Sequence, residues 1–365
     1  GGQLGRMLIQ SAIDFNLEIW VLDPDPQAPC HHLASKFVNG AITDYETVVK
    51  FGQSCDLVTI EIENVNTDAL KYLESKGIKV YPQPEIIELI KDKGQQKRFF
   101  EKNAFPTAPF VEVENRSEIA RHQTFFPAVN KLKREGYDGR GVQIVHTPDD
   151  LDLAFDAPGI LEKLVDIKKE IAVIVARKQN GDTVSYPVTE MVFHPKANLV
   201  EYLFSPADLS TELEEEAQKL ALNIIGKLDM VGLLAVEMFL DSNDQILVNE
   251  LAPRTHNSGH HTIEANQTSQ FEQHLRAILG LPLGDTSTII PSAMVNLLGE
   301  PGFNGPAIFE GMEKVLQIEG VHIHLYGKST TKPFRKMGHV TITGNDMVSI
   351  KEKIISVKHS LKIKA

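Results

Sequence analysis

One apolar strand and its return limit what this chain can fold into. The strand is interrupted only by Glu237, and a two-residue turn at Ser242 and Asn243 is predicted to lead the chain back. With this turn, Glu237 faces Val248, and Glu250 lies one diagonal step along the same face of the hairpin. The sequence therefore predicts that two carboxylates converge.

Such a pair of carboxylates predicts a metal site. A carboxylate buried among apolar residues costs several kcal/mol unless it is paired or holds an ion. Hard oxygen ligands suit Mg²⁺, which also accepts phosphate oxygens. Glu237 and Glu250, with Asn249 beside them, are therefore the candidate Mg²⁺ ligands. The alternative is that Glu237 pairs with an arginine or lysine elsewhere in the chain.

Composition places the chain among ordinary globular proteins. It has 365 residues, of which 42% are hydrophobic and 24% charged, enough for two or three domains. No apolar run has membrane-spanning length, and no signal-peptide pattern is present, so no membrane partner is expected. The net charge of −12 argues against nucleic acid as a partner. Two cysteines, Cys30 and Cys55, are too few for a disulfide framework and indicate the cytoplasm.

The first residues suggest a Rossmann-like unit that lacks its first strand. A glycine turn leads into a helix, and a strand then ends at Asp23. Free amides at Gly2 and Gln3 would suit a phosphate, although close packing of helix on strand explains the glycines equally well. A later short strand precedes Glu61 and Glu63, which places both acids at the edge where ligands bind in open parallel sheets, although solvated acids of a loop would look similar.

Stretches rich in proline, glycine and turn residues predict that the chain forms three domains. They are residues 1–91, 92–283 with a lid at about 107–165, and 284–365. A helix is expected to break at Asp92, and a hairpin to turn at Asn180 and Gly181. The tail is expected to contain strands near 293–298, 315–318, 321–326 and 339–343 and a helix from about 346 to 358.

A glycine-rich loop, residues 136–141, joins two predicted strands and carries flanking cations. Such a loop can fold over a polyphosphate because its amides are not hindered by side chains. The Walker pattern is absent, so the loop is weakly specific by itself.

Taken together, these motifs resemble the ATP-grasp ligases. The resemblance rests on Lys131, on the run Gly136-Tyr137-Asp138-Gly139-Arg140-Gly141, on Glu162, Glu170 and Glu237, and on the run from Asn249 to His260. More narrowly, the chain resembles the 5-(carboxyamino)imidazole ribonucleotide synthase family. The resemblance implies an α/β and α+β protein: an ATP-grasp fold with an N-terminal Rossmann-like domain and a small C-terminal β-rich domain.

That family is expected to carboxylate the exocyclic amine of 5-aminoimidazole ribonucleotide through carboxyphosphate, using ATP, Mg²⁺ and bicarbonate. The resemblance implies a cytoplasmic homodimer. It also implies ATP contacts, with the metal held by Glu237 and Glu250, from Lys93, Lys131, Gly136, Tyr137, Asp138, Gly139, Arg140, Gly141, Glu162, Lys163, Leu164, Val165, Glu170, Asn249 and Glu250. In this set the segment from Glu162 to Val165 would present backbone groups and a carboxylate to adenine, and Glu170 would hold the ribose hydroxyls.

The remaining roles also follow from the resemblance. Arg254, His256 and Asn257 would sit at bicarbonate or carboxyphosphate, with Asp138 as a further catalytic residue. Arg254 is preferred over His256 as the main group, because a guanidinium matches a planar oxyanion and the neutral amine needs no strong base. The ribonucleotide would be bound by Gln3, Glu63, Tyr137, Asp138, Lys328 and Arg335.

The chain departs from the family pattern in a few positions. The leading strand and glycine are absent, which suggests a truncated chain or a disordered start. Lys93 stands where arginine is more usual, and a family histidine is displaced by one residue to His194. The alternatives are another ATP-grasp ligase, such as a formate-dependent glycinamide ribonucleotide transformylase or a biotin carboxylase, an NAD-linked oxidoreductase, and a nucleotide-binding regulator without catalysis.

Overall fold

The computed structural model describes residues 1–134, 141–195 and 199–365. Among these residues, no helix is both long and apolar enough to span a bilayer.

The N-terminal region alternates helices and short parallel strands. Its elements are α1 (Gln3–Asp14), β1 (Trp20–Asp23), β2 (Lys36–Asn39), α2 (Tyr45–Gly52), β3 (Leu57–Val58), α3 (Thr67–Ser75), β4 (Lys79–Val80) and α4 (Pro84–Lys91). β1 pairs with β2 and β3 with β4, both in parallel. The order of glycine turn, helix and strand ending at Asp23 is as predicted.

A small antiparallel sheet follows. Its elements are α5 (Lys93–Lys102), β5 (Phe110–Val113), α6 (Arg116–Ile119), β6 (Ala128–Leu132), β7 (Val142–Val145) and β8 (Gly159–Lys163). The strand order is β5-β8-β6-β7. The predicted helix break is confirmed, because Asp92 is extended and its side chain accepts a hydrogen bond from the amide of Gln95.

The next elements build the large sheet that carries the site. They are β9 (Ile167–Arg177), β10 (Thr183–Ser185), β11 (Thr189–Phe193), β12 (Val200–Ser205), α7 (Thr211–Leu228), β13 (Gly232–Asp241), β14 (Ile246–Ala252), α8 (Thr262–Ala265) and α9 (Gln270–Leu279). The predicted hairpin between β9 and β10 is confirmed, and Gly181 takes a φ of 96° in its turn.

The C-terminal region continues the same sheet. Its elements are β15 (Ser292–Leu298), β16 (Gly305–Pro306), β17 (Ile308–Glu310), α10 (Met312–Val315), β18 (Val321–Leu325), β19 (Thr330–Thr331), β20 (Lys336–Thr343), α11 (Met347–Ser360) and β21 (Lys362–Lys364). The order β14-β13-β9-β11-β12-β15-β20-β18 shows that backbone pairing crosses the predicted boundary at residue 284. The three-domain division stays a prediction.

One predicted strand of the tail is wrong. Residues 315–318 were expected to be extended, but Val315 ends helix α10 and is fully buried. The helix begins after Gly311, whose φ of 83° turns the chain. A short apolar run fits a buried helical turn as well as a strand, so its period could not decide between them.

The two faces of β9 and β13 have different partners. On one face, apolar side chains of both strands pack against α7 and form the largest buried cluster, with Ile171, Val173, Leu234, Val236 and Met238 among its members. The opposite face carries Glu170 and Glu237. Side chains alternate between the two faces of a strand. Packing of the apolar face against α7 therefore fixes the positions of Glu170 and Glu237 on the other face.

Candidate active site

The turn of the β13–β14 hairpin is longer than predicted. Leu240 pairs with Ile246, and the amide of Asp241 donates to the carbonyl of Gln245 at 3.0 Å. The Asp241 carboxylate accepts from two turn amides, and Asp244 takes a φ of 59°. The prediction of a two-residue turn at Ser242 and Asn243 was therefore wrong by one residue, because Asp241 stabilises a wider loop.

A β-bulge then changes which residues face each other. Met238 pairs with Val248, but the next pair is Glu237 with Glu250, so Asn249 is the extra residue. The predicted pairing of Glu237 with Val248 was wrong. Val248 and Leu251 both enter the core, and this spacing requires the bulge. As a result the two carboxylates are direct cross-strand neighbours, which is closer than the predicted diagonal relation.

Two lysines from other elements approach this hairpin. Lys93, the first residue of α5, places its Nζ 2.6 Å from Oε2 of Glu250. Lys131 on β6 donates to Oδ1 of Asn249 at 2.9 Å. The Lys93 ammonium holds the pKa of Glu250 well below its usual range, so this carboxylate is ionised at neutral pH. Four predicted residues from three parts of the chain are thus brought together.

A third lysine was missed by the sequence analysis. Lys97 and Lys131 lie 3.1 and 2.9 Å from the two oxygens of Glu162, and the Lys97 and Glu162 side chains are each only 3% exposed. Burial lowers the pKa of Lys97 to about 8. Burial alone would raise the pKa of Glu162, but the two lysines lower it. The available signal was the spacing of Lys93 and Lys97, which puts both on one helical face.

This cluster changes the expected role of Glu162. Its carboxylate is engaged by two buried ammonium groups, so the expectation that it faces adenine does not fit the geometry. In the following segment, the amides of Lys163 and Leu164 donate to Pro109 and Pro127. The arrangement instead makes Glu162 the group that holds Lys131 in place.

Glu170 and Glu237 lie on the same face of the sheet, the face of β9 and β13 that is opposite α7. Glu237 pairs with Ala172, and Glu170 lies two residues earlier on the same strand, so both carboxylates are on one face. Burial, together with the charge of Glu237, raises the pKa of Glu170 to about 7. Glu170 therefore titrates near neutral pH.

This shift predicts a pH-dependent stability in metal-free protein. The folded-state pKa lies above the ordinary 4.5, so the unfolded state loses this proton first as pH rises. Ionisation thus destabilises the fold progressively between pH 4.5 and about 7 and fully above that range. Glu170→Gln removes the effect, so its Tm relative to wild type should rise between pH 5 and 7.5 and then level off, measured by thermal melts in a chelator.

A paired carboxylate provides a control of opposite sign for this measurement. Hydrogen bonds from Arg98 and Lys133 lower the pKa of Glu112, which therefore stabilises the fold when ionised. Glu112→Gln should lower the Tm above pH 5. A Tm difference for Glu170→Gln that does not change with pH would contradict the assignment.

The segment after β14 brings cationic and imidazole groups to the two acids. Arg254 lies with its Nε 2.8 Å from Oε1 of Glu63, the acid predicted at the edge of the N-terminal sheet. His256 lies with its Nε2 3.1 Å from Oε1 of Glu237. Both amide atoms of Asn257 are inaccessible and have no hydrogen-bond partner within the described residues.

The hydrogen bonds of His256 fix its tautomer. The backbone amide of Ser258 donates to Nδ1 at 3.3 Å, so Nδ1 acts as an acceptor. A neutral His256 therefore carries its proton on Nε2, which lies 3.1 Å from Oε1 of Glu237. With Nδ1 already accepting a hydrogen bond, the ring offers no lone pair to a substrate, which agrees with the preference for Arg254 as the main anion-binding group.

The N-terminal helix meets the C-terminal region at a second group of predicted residues. Lys328 donates through Nζ to Oε1 of Gln3 at 2.7 Å, although the two residues are 325 positions apart. Arg335 donates through Nη1 to the carbonyl and the hydroxyl of Thr330 at 2.8 and 2.9 Å. Gln3 and Lys328 are thus brought together, whereas the guanidinium of Arg335 is bonded to its own loop.

The glycine turn before α1 holds a carboxylate of the chain itself. The amide of Gly2 donates to Oε1 of Glu61 at 2.5 Å, and the amide of Gly5 donates to Oε2. The amide of Gly2, one of the two predicted to bind a phosphate, is therefore occupied by a carboxylate of the chain, and the phosphate cradle at Gly2 and Gln3 stays a prediction. The alternative, close packing alone, also omitted Glu61.

Some predicted residues cannot be placed. Gly136, Tyr137, Asp138, Gly139 and Arg140 lie outside the described residues. Gly141 is described, with a φ of 72°, and its carbonyl accepts from the amide of Leu132 at 2.8 Å. Within residues 1–134, 141–195 and 199–365, no three His, Cys, Asp or Glu side chains are grouped as metal ligands.

Three family models match consecutive parts of the chain. They are the ribonucleotide synthetase preATP-grasp domain at residues 1–91, the ATP-grasp domain at residues 98–271 and the phosphoribosylaminoimidazole carboxylase C-terminal domain at residues 292–353. Together they span the mixed α/β architecture described above.

Individual proteins are similar over nearly the whole chain. N5-carboxyaminoimidazole ribonucleotide synthetase from Thermotoga maritima is 39% identical, with a TM-score of 0.93 over 100% of this chain and 98% of that one. N5-carboxyaminoimidazole synthase from Aspergillus clavatus, solved with ADP and 5-aminoimidazole ribonucleotide, is 35% identical, with a TM-score of 0.90 over 99% and 96%.

A longer relative matches over part of its length. Phosphoribosylaminoimidazole carboxylase from Ogataea methanolica is 38% identical over 97% of this chain and 67% of its own length. The chain spans about two thirds of the length of this and similar carboxylases.

Proposed function

The chain belongs to the N5-carboxyaminoimidazole ribonucleotide synthase family of ATP-grasp enzymes, and from this premise we propose that it carboxylates 5-aminoimidazole ribonucleotide. Its substrates are ATP, bicarbonate and the ribonucleotide, and its products are N5-carboxyaminoimidazole ribonucleotide, ADP and phosphate. The observation that carries the proposal is the convergence of Glu237 and Glu250 with Lys93, Lys131 and the segment that follows β14.

The chemistry explains why such a site is needed. Bicarbonate becomes an electrophile only when one of its oxygens takes the γ-phosphoryl group of ATP, which forms carboxyphosphate and releases ADP. The exocyclic amine then attacks the carboxyl carbon, the phosphate leaves, and the amine loses a proton. The site must neutralise polyphosphate charge and exclude water, because carboxyphosphate is readily hydrolysed.

The donor set fits Mg²⁺. Glu250 stays ionised, Glu237 is its cross-strand neighbour, and an ion that keeps several water or phosphate ligands needs only one or two carboxylates from the protein. When bound, the ion supplies charge neutralisation at the transferring phosphoryl group. Lys93 contacts Glu250 and His256 contacts Glu237, so both carboxylates are already held in position.

Two lysines would bind the ATP phosphates. Lys93 and Lys131 border the two acids, and the buried pair of Lys97 and Glu162 holds Lys131 from behind. Because Lys97 and Glu162 are buried, they hold the ammonium group of Lys131 in a fixed position, so the site needs little reorganisation when the phosphates bind. The glycine loop, residues 136–141, would cover the phosphates.

The adenosine would lie along the adjoining strands. Lys163 and Leu164 use their amides within the fold, so they would contact adenine through their carbonyl groups, with Val165 beside them. Glu170 would accept hydrogen bonds from the ribose hydroxyls as a carboxylate, since an ionised group is the stronger acceptor.

The second half of the reaction falls to the segment after β14. Arg254 matches the planar oxyanion of bicarbonate or carboxyphosphate, and the two polar side-chain atoms of Asn257 have no hydrogen-bond partner among the described residues. Glu63, which contacts Arg254, would approach the imidazole ring together with Tyr137 and Asp138. The Nε2 of His256 lies 3.1 Å from Oε1 of Glu237, so His256 links the proposed anion site to the proposed metal site.

The phosphate of the ribonucleotide would bind where the N-terminal and C-terminal regions meet. Gln3 and Lys328 are already in contact, and Arg335 lies in the adjoining loop. On binding, Arg335 would exchange Thr330 for the phosphate, to which a guanidinium bonds more strongly than to a neutral carbonyl.

Arg335→Ala should therefore raise the KM for the ribonucleotide by about tenfold or more, since a hydrogen bond between charged groups is worth about 1.5–3 kcal/mol. The KM for ATP should stay nearly constant. Lys332→Ala removes an exposed cation of the same loop and is the control for general electrostatics. Equal effects of Arg335→Ala on both KM values would remove this residue from the phosphate site.

A coupled ADP-release assay tests the function itself. ADP release should require both bicarbonate and 5-aminoimidazole ribonucleotide. Release driven by formate and glycinamide ribonucleotide would favour the transformylase alternative, and thermal stabilisation by NADH but not by Mg-ATP would favour an oxidoreductase.

The homodimer is part of the proposal and is tested by light scattering. The cytoplasmic location is also proposed, and both cysteines are free thiols, as a reducing compartment requires.

A further inference from the structure

The side chain of Gln270 binds the backbone of a candidate catalytic residue on both sides. Gln270 is fully buried and begins helix α9. Its Oε1 accepts from the amide of His256 at 2.8 Å, and its Nε2 donates to the carbonyl of His256 at 2.7 Å. The Gln270 side chain therefore satisfies both backbone hydrogen-bonding groups of His256, as a neighbouring strand does for a residue in a β-sheet.

The orientation of this amide is fixed by its partners. A backbone amide can only donate and a carbonyl can only accept, so Oε1 and Nε2 cannot be exchanged. The second hydrogen of Nε2 points to Nδ1 of His260 at 3.2 Å. Burial lowers the pKa of His260, so the ring is neutral and its Nδ1 can accept.

The surroundings hold Gln270 rigidly. Its own amide donates to Oγ1 of Thr262 at 2.9 Å, and Thr262 donates to the carbonyl of Gly259. A Cβ on Gly259 would lie 2.7 Å from Cδ of Gln270, so only glycine permits this approach. The absence of a side chain at Gly259 therefore lets Gln270 pack directly against this turn.

From this geometry we propose that Gln270 is a positioning residue that fixes His256 and Asn257 for the carboxylation step. The chain leaves β14 at Ala252 and has no strand partner at His256, yet His256 must reach Glu237 at 3.1 Å. Without the clamp, the backbone at His256 can move, and a displacement of about 1 Å at a reacting group costs about a hundredfold in rate. This inference rests on the proposed function.

The same helix supplies a matched control. Gln273 lies one turn later, is equally buried and clamps another backbone in the same way: its Nε2 donates to the carbonyl of Gly284 at 2.9 Å, and the amide of Gly284 donates to its Oε1 at 2.8 Å. Gly284 lies in the loop after α9 and is not among the residues proposed for the site. Loss of either clamp should cost similar stability.

The experiment compares Gln270→Met with Gln273→Met in the full chain. Gln270→Met should lower kcat by at least about tenfold, keep the KM for ATP within about twofold, and raise the ADP released per product formed above one, because misplaced groups let carboxyphosphate hydrolyse. Gln273→Met should lower the Tm by a similar amount without these kinetic changes. Hydrogen exchange at the His256 amide should be faster only in Gln270→Met.

Gln270→Glu keeps the acceptor for the His256 amide and should retain more activity than Gln270→Met. If Gln270→Met fails to fold, Gln270→Glu against Gln273→Glu gives the same comparison. Identical kinetics and exchange in the Gln270 and Gln273 variants would overturn the inference. Failure of the wild type to form product with bicarbonate would instead overturn the proposed function, while the exchange measurement would still test the clamp.

Discussion

Replacing Glu250 with glutamine is expected to reduce turnover by about a thousandfold or more while the fold stays intact. Loss of a metal that neutralises a transferring phosphoryl group removes several kcal/mol of transition-state stabilisation, and about 4 kcal/mol corresponds to a thousandfold in rate. Glutamine has nearly the same shape as Glu250 but carries no charge. The measurement is kcat for ADP release at saturating ATP across a titration of Mg²⁺.

The fold should tolerate this change. The Glu250 side chain is 42% exposed, and its backbone pairing with Glu237 does not depend on the carboxylate. Loss of the carboxylate leaves Lys93 without its anionic partner, which should lower the Tm only modestly, since a partly exposed ion pair contributes little to stability.

Glu310→Gln is the matched control for Glu250→Gln. Glu310 is 52% exposed and accepts from Lys364 at 2.7 Å, so its ion pair resembles that of Glu250 and Lys93 but lies in the C-terminal region. This variant should keep wild-type turnover. Normal turnover and an unchanged Mg²⁺ requirement in Glu250→Gln would remove Glu250 from the metal site.

Arg254→Lys should lower kcat/KM for bicarbonate by about a hundredfold. Lysine keeps the positive charge but loses the planar fork that binds an oxyanion through two parallel hydrogen bonds, and loss of one donor at such a site costs about a hundredfold or more. The KM for ATP should change little, because Arg254 pairs with Glu63 and is proposed to bind bicarbonate, whereas Lys93 and Lys131 are proposed to bind the ATP phosphates. Steady-state kinetics with bicarbonate as the varied substrate provides the test.

Arg276→Lys controls for the change of side chain. Arg276 is 29% exposed, and its Nε and Nη2 lie 2.8 and 2.7 Å from Oε1 of Glu272, whereas Arg254 is 20% exposed, and its Nε lies 2.8 Å from Oε1 of Glu63. Equal and small effects of the two substitutions would show that the charge of Arg254 suffices without its fork, and the oxyanion role would then be withdrawn.

The fold class was predictable because its signals are local. Alternation of glycine turns, helices and strands in the first 91 residues indicated the Rossmann-like unit, and the motif runs indicated the ATP-grasp family. The tail shows the limit of this approach. Residues 315–318 have the composition of a strand, and only packing of Val315 into the core reveals a helical turn.

The site was predictable in its residue types but not in its register. Asn249, Glu250, Arg254, His256 and Asn257 lie in one short run, so the sequence alone places their chemistry together. Their alignment with Glu237 depends on an extra turn residue and a bulge, each of which shifts the pairing by one position. The turn follows from hydrogen bonds of the Asp241 carboxylate, and the bulge from the burial of both Val248 and Leu251, and both are contacts that the structure reveals.

The residues that support the site were harder to predict. Lys97 and Gln270 each resemble an ordinary helix residue in the sequence, yet they contact Glu162 and His256; Glu61 was expected at a ligand-binding edge but instead binds the first glycine turn.

The sequence by itself determined the elements, the family and the functional groups present, because periodicity and motifs act over a few residues. Only the tertiary structure decided which groups meet, as in the contact between Gln3 and Lys328 across 325 positions. The physical reason is that a buried polar group must find a partner wherever packing places one, and packing is a property of the whole chain.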